Sequence, residues 1–189
     1  IINGGFFYPS GVSNGTFIDT CLISSTSSGN ITITGSSNLT GVDTVIGVQF
    51  SALPVIEATD TGAITITGTD EATSTAPFRG GVSFAFDSTI ITTADGDLTI
   101  TGTSDTISAR PGITSASSTA QITSNGAGNI IMAGTAFDAS SGILLDITSI
   151  TANGTGDISL TGVAGSTSST TEASGVIVKG STLIESSNY

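Results

Sequence analysis

Histidine is absent from the chain, which removes the Ser-His-Asp triad, the Cys-His dyad and imidazole metal ligation. Only three residues are basic, Arg79, Arg110 and Lys179, against fifteen acidic ones, for a formal charge of −12. Nucleic-acid binding draws its affinity from Lys and Arg at phosphates, so this balance argues against nucleic acid, and against an anionic membrane surface, as a partner. Cys21 is the single cysteine; an internal disulfide is excluded, and the residue reads as a small buried hydrophobe. No apolar run approaches the roughly 20 residues of a membrane span, and no membrane insertion is expected. Charged residues make up only 10% of the sequence. The rest of the polar surface is hydroxyl, which is common in secreted material and points to an extracellular or cell-surface location.

What the chain does have is repetition. Gly29-Asn30-Ile31-Thr32-Ile33-Thr34-Gly35 returns as Gly62-Ala63-Ile64-Thr65-Ile66-Thr67-Gly68 and as Gly96-Asp97-Leu98-Thr99-Ile100-Thr101-Gly102. It returns more loosely as Gly128-Asn129-Ile130-Ile131-Met132-Ala133-Gly134 and Gly156-Asp157-Ile158-Ser159-Leu160-Thr161-Gly162. The first glycines are 33, 34, 32 and 28 residues apart. A recurrence of that length marks a supersecondary unit that buries its apolar side only by stacking on its neighbours.

Each period divides into three short runs of alternating apolar and hydroxyl residues, the period-2 signature of a half-buried strand. In the second period these are Val55 to Ala58, Ile64 to Thr67, and Val82 to Phe86, with a polar excursion from Gly68 to Gly80 before the third. A glycine precedes every third strand, in Gly47-Val48, Gly81-Val82, Gly112-Ile113, Gly142-Ile143 and Gly175-Val176. The next first strand follows 8 to 10 residues later, at Ile56, Ile90, Ile122, Ile150 and Ile184. The run from Gly15 through Ile23 to Ile31 aligns without a gap on the run from Gly142 through Ile150 to Ile158, so equivalent strands are expected in register. A propeller or a stack of hairpins would need two-residue turns at short spacing, which the long variable excursions do not supply.

These features predict an all-β parallel β-helix, right-handed by the strand-twist argument, with three strands per coil and about six coils of roughly 32 residues. Residues 1–189 are read as a single β-helix domain. The expected core column is Ile31, Ile33, Ile64, Ile66, Leu98, Ile100, Ile130, Met132, Ile158 and Leu160, with Phe17, Phe50, Phe84 and Phe86 filling the third sheet. Asn188-Tyr189-Ile1-Ile2-Asn3-Gly4, joined tail to head, imitates Asn129-Ile130-Ile131-Met132-Ala133-Gly134. The opening residues are therefore expected to supply a second-strand position, and the piece to be a segment of a longer fibre or a subunit that meets copies of itself end to end, because an uncapped β-helix leaves an open sheet edge.

Repeats of the type Gly-Asp/Asn-Ile-x-Ile-Thr-Gly with Ser/Thr-rich excursions, over residues 15–186, resemble the long β-helical shafts of filamentous-haemagglutinin-like exoproteins and related large bacterial surface adhesins. The resemblance implies a secreted, surface-attached or fibre-forming protein without enzymatic activity. Coils near 32 residues depart from that group, where many shafts use shorter ones.

Candidate chemistry is sparse. Asp87, Asp95 and Asp97 with Arg79 are the densest charged group, and they read as solvated turn acids rather than a carbohydrate-cleaving pair. Asp95-Gly96-Asp97 lacks the Gly-Gly-x-Gly-x-Asp frame of calcium nonapeptides. No catalytic residue, metal or cofactor is expected. At the turn preceding the repeated run Asn30, Ala63, Asp97, Asn129 and Asp157 succeed one another, an order that avoids stacked carboxylates and lets Asn bond along the column. The candidate binding face is the ladder of Thr32, Thr34, Thr65, Thr67, Thr99 and Thr101, similar to the flat ice-binding faces of some antifreeze β-helices. Glycan contact is expected through the excursions Asp70 to Gly80 and Gly102 to Pro111, and sequons at Asn14, Asn30, Asn38 and Asn153 offer glycan attachment.

Overall fold

A computed structural model describes residues 2–4, 6–7, 12–38, 44–71, 78–85, 89–104, 110–115, 119–137, 140–146, 148–165 and 173–187. Among the described residues, nineteen strands fall into three sheets. Sheet A holds β1 (Ile2–Gly4), β5 (Ile31–Ser37), β8 (Ile64–Asp70), β11 (Leu98–Ser104), β14 (Ile130–Ala136) and β17 (Ile158–Val163). Sheet B holds β2 (Phe6–Phe7), β3 (Val12–Asp19), β6 (Thr44–Ser51), β9 (Phe78–Phe84), β12 (Ile113–Ser115), β15 (Ile143–Asp146) and β18 (Val176–Lys179). Sheet C holds β4 (Leu22–Ser25), β7 (Val55–Ala58), β10 (Ile90–Thr93), β13 (Gln121–Ser124), β16 (Ser149–Ala152) and β19 (Leu183–Ser186). From β3 onward the chain visits B, C and A in rotation, one strand each, and every neighbouring pair is parallel. This is a β-solenoid with three strands per coil. The expectation of six coils is corrected: β5 to β17 spans about four full turns, and the remaining strands make incomplete windings at the two tips.

Register is what gives the solenoid its core. Ile31, Ile64, Leu98, Ile130 and Ile158 form one column of sheet A, and Ile33, Ile66, Ile100, Met132 and Leu160 the next. All are fully buried or nearly so except Ile158 and Leu160, which are only partly covered because no described strand lies on β17. Complete burial of such a side chain stabilises the fold by about 1.5–3 kcal/mol, so stacking the same apolar residue type coil on coil suffices to drive collapse. Sheet B adds Val48, Val82, Ile113 and Ile143, and sheet C adds Ile56, Ile91, Ile122 and Ile150.

Two expectations shift by one position or face. In sheet C the buried residue is Ile91, paired with Ile56 and Ile122, while Ile90 points outward beside Val55. In sheet B, Phe50 and Phe84 are buried and stack at 5.2 Å between ring centroids, but Phe17 lies on the outer face opposite Gln49 and its neighbour Ile18 enters the core. Phe86 lies outside the described residues. The strands of sheet A also run past the glycine expected to end them, to Ser37, Asp70, Ser104 and Ala136.

Those glycines are needed where sheets A and B converge. A Cβ on Gly68 would collide with the carbonyl of Gly81, and one on Gly134 with the carbonyl of Gly142. The inward position that carries isoleucine two residues earlier has room here only for backbone. The glycine closing each repeated run and the glycine opening the next strand are thus two halves of one contact.

At the beginning of the chain, β1 pairs in parallel with β5, Ile2 opposite Ile33 and Gly4 opposite Gly35. This places residues 2–4 in sheet A in the register that the tail-to-head comparison implied. β2 differs from the other described strands: it pairs antiparallel with β3, Phe6 opposite Asn14 and Phe7 opposite Ser13.

Candidate functional site

The outward residues of sheet A alternate with the core columns, so in-register stacking lays them out as a grid. Thr32, Thr65 and Thr99 share one column, continued by Ile131 and Ser159; Thr34, Thr67 and Thr101 share the next, continued by Ala133 and Thr161. All six threonines are partly or fully solvent-exposed. Because the strands continue beyond the glycines, a third column exists: Ser36, Thr69, Thr103, Thr135 and Val163. The residue after each run-closing glycine carried that signal in the sequence. Neighbouring columns are two residues apart along a strand, about 6.6 Å, and neighbouring coils about 4.8 Å apart. The face carries no charged group at these positions.

The corner that leads from sheet C into sheet A is bonded through side chains. The Asn30 carboxamide oxygen accepts the Ala63 N–H at 2.9 Å, Asp97 accepts the Asn129 N–H at 2.8 Å, and Asn129 in turn accepts the Asp157 N–H at 2.9 Å. The Asn129 side-chain Nδ2 also donates to Asp97 at 3.1 Å. Beside this ladder Asp95 accepts the Ala127 N–H at 3.0 Å, and Asn153 donates to Asn125 at 3.0 Å. Asp95 and Asp97 are therefore structural acceptors that tie one coil to the next; Asp87 and the side chain of Arg79 lie outside the described residues. A second device was missed from sequence: Ser25 donates to the Gly29 carbonyl at 2.7 Å and Ser124 to the Gly128 carbonyl at 2.6 Å. The Ser-x-x-x-Gly spacing at the same corner was its readable trace.

Other candidates separate. Asn14 is buried, 3% exposed, and donates to Gln49 at 2.8 Å, so this sequon cannot take a glycan in the folded chain. Asn30, Asn38 and Asn153 are exposed, the first and last already engaged along the corner ladder. Of the two excursions, residues 72–77 and 105–109 lie outside the described set. Cys21 is half-buried, and burial first, the Asp19 carboxylate second, push its thiol above the ordinary value. Lys179 makes an ion pair with Asp146 at 3.5 Å. A shallow hollow of about 290 Å³ where sheet B turns into sheet C is lined by Thr119, Ala120, Gln121, Thr148, Ser149 and Ser181. Among the described residues there is no cluster of three or more metal-ligating side chains, and no helix long and apolar enough to cross a membrane.

The fold and its surface define a three-sheeted parallel β-solenoid with a hydroxyl face and side-chain ladders at its corner. Comparison with protein-family models, with curated proteins and with solved structures returned no match.

Proposed function

We propose that the chain is a structural, non-enzymatic segment of an extracellular or cell-surface fibre or adhesin, in which solenoid coils meet end to end and the work is reach and display. The observation that carries this reading is the unbroken in-register stack from β5 to β17, whose last strand leaves Ile158 and Leu160 only partly covered. An acidic, hydroxyl-rich surface of net charge −12 is in keeping with a soluble exterior life, and the resemblance to filamentous-haemagglutinin-like shafts points the same way. Electron microscopy and fibre diffraction of the purified chain test it. Filaments with a repeat of about 4.7–4.9 Å along their axis are expected; a species that stays monomeric at every concentration overturns it.

A second reading, an ice-binding module, is favoured by one observation. The threonine ladder has three columns instead of two, on one sheet face whose outward columns carry no charged residue. Ice-recrystallisation inhibition by the chain, abolished by Thr65→Tyr with Thr99→Tyr, would support it; no inhibition at any concentration would remove it.

A further inference from the structure

The two tips of the solenoid are unlike in a complementary way. At the tip formed by β17, β18 and β19, sheets B and C extend one strand further than sheet A: β18 lies on β15 and β19 on β16, while no described strand lies on β17. At the other tip β1 extends sheet A beyond β5, whereas among the described strands β4 is the last of sheet C. Among the described residues each tip is a partial layer: the first has a sheet-C strand with no counterpart at the second, and the second a sheet-A strand with no counterpart at the first. Chain order gives the same answer, since the winding passes from sheet C to sheet A and β19 is a sheet-C strand. A β1 laid on β17 would align Ile2 with Leu160 and Gly4 with Gly162, through the columns of Ile33 and Gly35.

Apolar surface and charge agree with that fit. Ile184 and Val178, whose neighbours Ile150 and Leu145 on the adjoining strands are buried, are 39% and 48% exposed at the tip. Ile184 shares its column with Ile23 of β4. In sheet B, Ile18 and Leu145 occupy one inward column, so Asp19 and Asp146 occupy the outward one beside it. Lys179 is the next member of that column, bonded to Asp146 and 54% exposed. A second copy seated on this tip would bring its Asp19 to the open side of Lys179, one of only three basic residues in the chain.

One element stands in the way. β2, antiparallel on the outer edge of β3, occupies the sheet-B position that β18 of a neighbouring copy would take. We propose that the tips are complementary partial layers that admit a second copy of this chain, and that β2 is a guard strand which must leave β3 before the junction closes. The inference rests on the end-to-end reading above. A short strand over an open edge is a known way of restraining edge-to-edge pairing, and a two-residue ladder is readily displaced.

Single-cysteine variants test both parts. Asp19→Cys and Lys179→Cys, each carrying Cys21→Ser, are mixed under mild oxidation with melting temperature as a folding control. The mixture is expected to give a disulfide-linked pair that neither variant gives alone. Phe7→Pro, or Phe6→Gly with Phe7→Gly should the proline variant fail to fold, is expected to raise its yield several-fold. Unchanged yield in a folded β2 variant overturns the guard role. Association by light scattering without the mixed disulfide overturns the complementary layers and points to another contact, and a monomer in every variant overturns the end-to-end reading itself.

Discussion

Leu53 is the residue least suited to its place. It stands at the corner between β6 and β7 with φ of 67°, next to Ala52 at 51°, in the left-handed region that costs a non-glycine residue about 1–2 kcal/mol. Its side chain is 57% exposed and recovers little by packing. Leu53→Gly is therefore expected to raise stability by about 0.5–1 kcal/mol, the relief of strain exceeding the added entropy of the unfolded chain. A urea titration checks it, and Leu53→Val should move the midpoint the other way. Thr20, at φ 37° on the preceding corner, is held by its hydroxyl donating to the Ala52 carbonyl at 2.7 Å. Cys21 follows it. With burial and Asp19 both raising the thiol, the folded chain keeps this proton at pH values where the unfolded chain has released it. Its contribution to stability is full below the ordinary thiol value and declines as pH rises through the raised one. Alkylation at neutral pH should be slower than that of an unstructured peptide thiol and should quicken in Asp19→Asn.

Among the elements, sheet A shows how narrowly the pattern is set. Ile66 is fully buried; Ile66→Ala should cost about 2–5 kcal/mol, and Ile66→Asp, which buries a charge without a partner, should prevent folding. Two residues on, Gly68→Ala should be as damaging as the loss of an isoleucine although it adds only a methyl, because what it meets is the Gly81 backbone and not a side chain that can rotate. Thermal melts of the two alanine variants make the comparison. The strength of this pattern is also why the fold was legible: the same seven residues recur, and parallel strands that repeat have one register that buries every isoleucine at once. Legibility failed where the sequence offers neighbours of equal character. Ile90-Ile91 and Phe17-Ile18 each present two adjacent apolar residues, and only pairing with Ile56 and Phe50 decides which one turns inward. The third threonine column is hidden in the sequence because a glycine reads as a strand end, whereas here it marks two sheets in contact. The sequon at Asn14 misleads for a similar reason: it says nothing of the Gln49 side chain on the neighbouring strand that accepts from Asn14.

For the whole molecule, charge sets the terms on which copies could meet. At −12 two copies repel, and the repulsion sums over many groups distributed along the solenoid; the proposed Lys179 to Asp19 contact is one short-range pair. With a Debye length of about 30 Å at 0.01 M salt the distant charges all act, whereas at about 10 Å, near 0.1 M, most are screened. End-to-end association measured by sedimentation velocity should therefore increase from low to moderate salt, opposite to what a junction held together by ion pairs would show. Lys179→Gln should weaken association most at moderate salt, where long-range repulsion is gone and the local pair still acts. Its deficit should shrink toward 1 M, where the screening length of about 3 Å reaches the pair itself. Apolar contact at Ile184 and the free strand edges persists at that salt, so the wild-type chain should remain associated there. Association that falls steadily from the lowest salt upward would mean that attraction between charges, not burial of the open tip, holds copies together, and the junction described above would have the wrong driving force.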